Sequence, residues 1–268
     1  MRELLRRVRN RGLYVKPGHY YSPIPNADDI RRALQASEAT GVALHGSHQL
    51  ELVDRLAPLM GELPMSDAPG WRWHGGPTNR MFNRADAALY YAMVADRKPS
   101  QIIEVGCGFS SAIALDAAER HSPDTRFTFV EPYPQQQLLR VLRHTDICGL
   151  YSQPVQDVPL KAFIDLAPGD FLFIDSTHVA KAGSDVLHLY FEIIPRLQPG
   201  VLVHVHDIFW PFTYPKRWLE QGRGWTEAYL LRAMLTEPSS LRIVAWGSWL
   251  AQMRPQFNGA GSIWLERT

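Results

Sequence analysis

The stretch Gln101-Ile-Ile-Glu-Val-Gly-Cys-Gly-Phe-Ser-Ser111 constrains the fold more than any other. Ile102, Ile103 and Val105 give a short apolar strand over 101–105, and Gly106 and Gly108 open a tight turn directly after it. Ala112-Ile-Ala-Leu-Asp-Ala-Ala-Glu119 follows as a strong helix former. Strand, glycine turn and helix are the parts of a nucleotide-binding βα unit. Glycine lets the backbone approach a ligand closely, and the helix start offers unpaired N–H groups. The glycines alone also fit a βα turn that binds nothing.

Two acids narrow the reading. Glu104 stands two residues before the first glycine, and Glu131 follows the next apolar strand, Arg126-Phe-Thr-Phe-Val130, where a ribose-binding acid belongs. With these residues the chain resembles the Rossmann-like, class I methyltransferases that use S-adenosylmethionine (SAM). The resemblance implies that the turn at Glu104, Gly106, Gly108, Ser110 and Ser111 lines the methionine part of SAM, and that Glu131 binds the ribose hydroxyls. A nicotinamide-dependent oxidoreductase is the rival, since Glu131 would serve that ribose as well. Against it, Ser111 stands where the dinucleotide fingerprint has its third glycine, and no Tyr-x-x-x-Lys signature is present. A binding protein that keeps this fold without catalysis is a second rival, opposed by the intact set of acids and glycines.

From residue 101 onward apolar strands and helical stretches alternate. Strands are expected at 101–105, 126–130, about 151–155, 170–174, 201–206, 241–247 and 262–266, with helices at Gln135–His144, Gly183–Arg196 and Trp225–Thr236 between them. The expected fold class is α/β: a doubly wound, seven-stranded, mostly parallel sheet whose last strand is antiparallel, because the final pair leaves no room for a crossover helix. Residues 100–268 form the expected SAM-binding domain. Residues 1–99 form an N-terminal helical section, expected to cover the substrate as a lid. Its helices are marked by an Asn26 cap ahead of Ile30 and Leu34, by the spacing of Leu50, Val53, Leu56 and Leu59, and by Ala85 to Asp96.

Ligands of open α/β sheets sit at the carboxyl ends of the strands, so the residues that follow each strand are the candidates for chemistry. Asp157 follows the third strand, at the place where such methyltransferases put an acid near the adenine amine; capping the next helix would explain it equally well. Phe171-Leu-Phe-Ile174 delivers Asp175-Ser-Thr-His178, and Val201-Leu-Val-His-Val205 delivers His206 and Asp207. Carboxylates and an imidazole from adjacent strand ends can converge on one Mg²⁺ or Mn²⁺, which would lower the pKa of an acceptor hydroxyl. This set resembles the metal-dependent small-molecule and sugar O-methyltransferases. The resemblance implies His178 as general base, Asp175 and His206 beside it in catalysis, and Asp175, His206 and Asp207 as metal ligands. The match departs from the family at His206, where those enzymes carry a glutamate. The aromatic run Phe209 to Tyr214 either walls an acceptor pocket or packs on the sheet edge; Trp71, Trp73 and His74 pose the same choice. Glu227 reads as the acid of a capping box, and His204 as a packed histidine.

The expected reaction is therefore methyl transfer from SAM to an oxygen of a small hydroxylated metabolite or sugar, and the expected partner is that acceptor, with room for a homo-oligomer. A net charge of +1 and no basic stripe argue against nucleic acid. Two cysteines, Cys107 and Cys148, suit a reducing cytoplasm. No apolar run is long enough to cross a membrane. The basic stretch Met1–Arg11 lacks the apolar core of a signal peptide and reads as a solvated helix.

Overall fold

Seven strands form one sheet in the order β3-β2-β1-β4-β5-β7-β6: β1 Gln101–Val105, β2 Arg126–Val130, β3 Cys148–Tyr151, β4 Phe171–Ile174, β5 Leu202–Val205, β6 Leu241–Trp246 and β7 Ile263–Arg267. β1 to β5 pair in parallel, and β7 lies antiparallel between β5 and β6. The coordinates, a computed structural model, describe residues 15–74, 79, 81–134 and 138–268. The expected doubly wound sheet with its antiparallel last strand is thus the observed one.

Strand alternation sends successive side chains of each strand to opposite layers. Ile102, Phe171 and Phe173 join one apolar cluster, and Ile103, Leu172 and Ile174 join the other. The first cluster is covered by α2 (Gly46–Gly61), α3 (Arg84–Arg97) and α4 (Phe109–His121). α3 is buried from Ala85 to Ala95, so the helices ahead of residue 100 share their core with the sheet. The opposite face is covered by the helical stretch over 185–196 and by the helix Glu227–Leu235. α1 (Ala27–Ala33) is capped by Asn26, whose side chain accepts from the Asp29 amide at 2.9 Å.

Two elements depart from expectation. The third strand lies at Cys148–Tyr151, earlier than 151–155. It is the sheet's edge, and Cys148, Gly149 and Leu150 are exposed, so no burial alternation marked it; Pro154 has no N–H to give a ladder. The helix expected over Gly183–Arg196 starts after the Ser184 cap but widens into a π turn at Leu189–Ile193 and tightens to a 3₁₀ turn at Ile194–Arg196. Pro195 removes an i→i−4 donor there. Of the expected helix Gln135–His144, residues 135–137 lie outside the described residues, and Leu138–Val141 is helical. The basic stretch Met1–Arg11 also lies outside them.

One buried carboxylate ties the front of the chain to its last strand. Asp86, on α3, accepts from the amides of Gly261 at 2.9 Å and Ser262 at 3.0 Å, just ahead of β7. Among the described residues no helix is long and apolar enough to cross a membrane.

Candidate active site

The turn after β1 is shaped from behind. Gly106 has φ +81°, and a β-carbon there would sit 1.8 Å from the Asp175 carbonyl oxygen, so only glycine fits. The Gly108 amide donates to the Ser111 hydroxyl at 2.9 Å, and Ser111 in turn donates to Glu104. The Tyr90 hydroxyl takes the other Glu104 oxygen at 3.0 Å. Glu104 has no exposed surface. Its burial pushes the carboxyl up to about 7, against the pull of the Ser111 and Tyr90 hydrogen bonds. Glu104 and Ser111 therefore hold the turn rather than line its open side.

Two cavities, about 440 and 390 Å³, open on the rim and share Gly106, Glu131 and Asp175. The smaller is bounded by Gly108 and Ser110 with Met81 and Phe82, and the larger by Tyr133, Val155, Gln156 and Lys181. Glu131 stands between them, its carboxylate accepting from the Tyr133 amide at 2.8 Å and the Cys107 amide at 3.4 Å. Asp157 is not brought to the rim: it is exposed, and its carbonyl accepts from Gln153 at 2.7 Å. Its neighbour Gln156 faces the cavity instead. Tyr133 was missed, although it follows Glu131 by two residues.

Beyond Asp175 lies the cluster of acids and histidines. Donor atoms of Asp175, His178 and Asp207 lie within 4.8 Å of one another. His178 Nε2 is 3.3 Å from Asp175 Oδ1 and 3.6 Å from Asp207 Oδ2. His206, expected as a ligand, is outside this trio: its Nε2 is 3.6 Å from Asp207, but its ring packs on Phe82 with centroids 4.9 Å apart. His178 (φ +61°) and Asp207 (φ +59°) both hold left-handed backbone, a local cost that the surrounding structure must offset.

The cluster's charges are strongly coupled. Burial works to lower the His178 pKa, but hydrogen bonds to Asp175 and Glu227 outweigh it and carry it up to about 10. Asp175 feels burial upward, yet the His178 bond and the His206 charge hold it below the usual carboxylate value. Burial lifts Asp207 to about 6 against the pull of His206 and His178.

Glu227 corrects an expectation. It closes no capping box; its buried carboxylate turns inward and meets His178 Nδ1 at 2.8 Å. The signal was invisible locally, because the partners are 49 residues apart. The aromatic alternatives divide. Phe212 is buried against Trp246 at 4.6 Å, while Phe209, Trp210 and the largely buried Tyr214 border a depression of about 310 Å³ beside α1. Trp73 fills the core, Trp71 carries Arg120 over its ring at 3.7 Å, and His74 is exposed beside Asp67. His204 is packed, stacked on Phe173 at 4.1 Å.

Residues 103–208 match the profile of a family described as a methyltransferase domain. An uncharacterized protein of Archaeoglobus fulgidus is 32% identical over 162 residues, spanning 57% of this chain and 73% of that protein. Among solved structures, the SAH-bound methyltransferase PaMTH1 of Podospora anserina is similar at 14% identity, covering 92% of this chain and 99% of its own, with a TM-score of 0.48. The SAM complex of the O-methyltransferase TomG of Streptomyces achromogenes, involved in tomaymycin synthesis, is similar at 15% identity, covering 91% and 96%, with a TM-score of 0.47. The profile match runs from within β1 to just past β5 and includes the glycine turn, Glu131, Asp175, His178, His206 and Asp207, but not Glu227. Residues 103–208 belong to the methyltransferase domain family, and the sheet that carries them is the Rossmann-like, class I fold.

Proposed function

We propose that this methyltransferase transfers the methyl group of SAM to a hydroxyl oxygen of a small acceptor, a sugar or another hydroxylated metabolite. The observation that carries the reading is the position of Asp175: it lines both cavities and stands 3.3 Å from His178 Nε2, so a proton acceptor borders the donor site. In this reading Gly106, Gly108 and Ser110 cradle the methionine half of SAM, Glu131 takes the ribose hydroxyls, and the cavity between Glu131 and Gln156 takes the adenine. The acceptor oxygen attacks the methyl carbon, the sulfur–methyl bond breaks, and the hydroxyl proton passes to His178 Nε2. Flanking carboxylates hold His178 protonated in the absence of other charge; the positive sulfonium of SAM opposes them and lowers that hold. The N-terminal section over 1–99, which brings Met81 and Phe82 to the smaller cavity, serves as the acceptor's lid.

A second assignment of His178 follows from the 4.8 Å cluster: Asp175, His178 and Asp207 together offer two carboxylates and an imidazole to one Mg²⁺ or Mn²⁺. The donor set fits such an ion, which would polarise the acceptor hydroxyl. His206 then lends positive charge behind Asp207 rather than a bond to the ion.

The test is a panel of hydroxylated acceptors incubated with methyl-labelled SAM, with and without EDTA. Label on an oxygen of a small acceptor supports the reading, and label found only on nitrogen or carbon acceptors overturns it. Loss of transfer in EDTA brings an ion into the reaction, and Mn²⁺ binding that fails in His178→Ala makes His178 its ligand.

A further inference from the structure

We infer that Glu227 is a positioning residue that commits the Nδ1–H of His178 and leaves Nε2 as the working nitrogen. The inference rests on the methyltransferase reading only in its catalytic arm; its structural arm stands alone.

His178 meets carboxylates on both ring nitrogens, and the shortest contact is the 2.8 Å one at Nδ1. An ionised carboxylate only accepts hydrogen bonds, so an ionised Glu227 places a proton on Nδ1. Nδ1 is thereby occupied, and Nε2 is the atom directed at Asp175 and Asp207. Glu227 has no exposed surface, so no water competes for the contact. The backbone reinforces it: the amides of Thr226 and Glu227 donate to the His178 carbonyl at 2.9 and 3.2 Å, and the Ala180 amide donates to the Thr226 hydroxyl at 2.8 Å. Trp225 closes one side of the imidazole, with ring centroids 4.3 Å apart. The left-handed backbone at His178 is thus held from a separate helix, and the ring has one orientation.

A carboxylate behind a histidine raises the basicity of the far nitrogen and fixes the ring, whether that nitrogen takes a proton or ligates an ion. Glu227 touches neither cavity, so its effect passes through His178.

The experiment uses the full chain labelled with ¹⁵N-histidine, as wild type, Glu227→Gln and Glu227→Leu. Wild type is expected to show a far-downfield, slowly exchanging Nδ1-bound proton that disappears in a His178→Asn control and in Glu227→Leu. In Glu227→Gln the signal persists but moves upfield, because the acceptor is then neutral. SAM affinity by calorimetry stays within about twofold in both Glu227 variants. Turnover falls roughly 10–100-fold in Glu227→Leu, the usual weight of such a partner, and Glu227→Gln recovers part of it. Wild type without that proton signal overturns the inference, and so does full turnover in a folded Glu227→Leu. If the proton signal behaves as described while no acceptor is methylated, the methyltransfer reading fails and the Glu227 contact stands.

Discussion

Gly106 and Asp175 meet so closely that residue 106 has no room for a β-carbon: it would lie 1.8 Å from the Asp175 carbonyl oxygen. Gly106→Ala also forces a side chain onto φ +81°, a backbone cost of about 1–3 kcal/mol. Denaturant unfolding should show at least that loss. Because the clash moves either the glycine turn or the strand end carrying Asp175, SAM titration should show affinity weakened more than tenfold.

Glu131 sits between the two cavities and keeps part of its carboxylate open to them. Glu131→Ala should weaken SAM binding by about 1.5–3 kcal/mol, the value of hydrogen bonds to a charged group. Calorimetry checks it, and an unchanged affinity would move the ribose elsewhere.

Glu104 gives a pH dependence whose sign follows from its burial. Its folded-state pKa, about 7, lies above the ordinary 4.5. The contribution to stability is therefore full below the ordinary value and lost as pH rises through the folded one, with an upper bound of about 3 kcal/mol. Between pH 5 and pH 8 wild type should lose more stability than Glu104→Gln, which carries no ionisable group there. Denaturation curves at the two pH values that run parallel for both proteins would refute the assignment.

The histidine cluster separates by substitution. His178→Ala should cut turnover by roughly 10²–10⁴-fold, the range of a general base, with SAM still bound. Asp207→Ala should abolish transfer together with any rescue by Mg²⁺ or Mn²⁺. His206→Asn should cost much less, since the trio Asp175, His178 and Asp207 survives it. Initial rates with and without EDTA order the three.

What the sequence made legible was local. β1 and its turn were readable because apolar run, glycines and helix follow one another within a few residues. Asp175 and Asp207 were readable because strand ends of an open sheet converge. Glu227 was not, since Thr-Glu at a helix start is ordinary capping chemistry and only the tertiary fold turns the carboxylate inward. The third strand slipped because an exposed edge carries no apolar pattern. Gln156 rather than Asp157 faces the cavity because a short 3₁₀ turn at Val155–Asp157 rotates each side chain by a third of a turn, which no periodicity reveals. His206 differs again: its position at the end of β5 was correct, but Phe82, from far upstream, holds its ring.

The insertion of β7 between β5 and β6 sets an order of assembly. β6 precedes β7 along the chain, yet among the described residues its one partner in the sheet is β7, so it joins the sheet only once residues 263–267 arrive. The same arrival brings Gly261 against Asp207: the Ile208 amide donates to the Gly261 carbonyl at 2.7 Å, and Asp86 locks the next amides. A nascent chain with β1 to β5 in place already holds the glycine turn and Glu131, proposed to take the methyl donor, but Asp207 gains its final support only when the last strand threads in. Donor binding should thus mature before catalysis during folding, and the closing step is a long-range pairing of the slow kind.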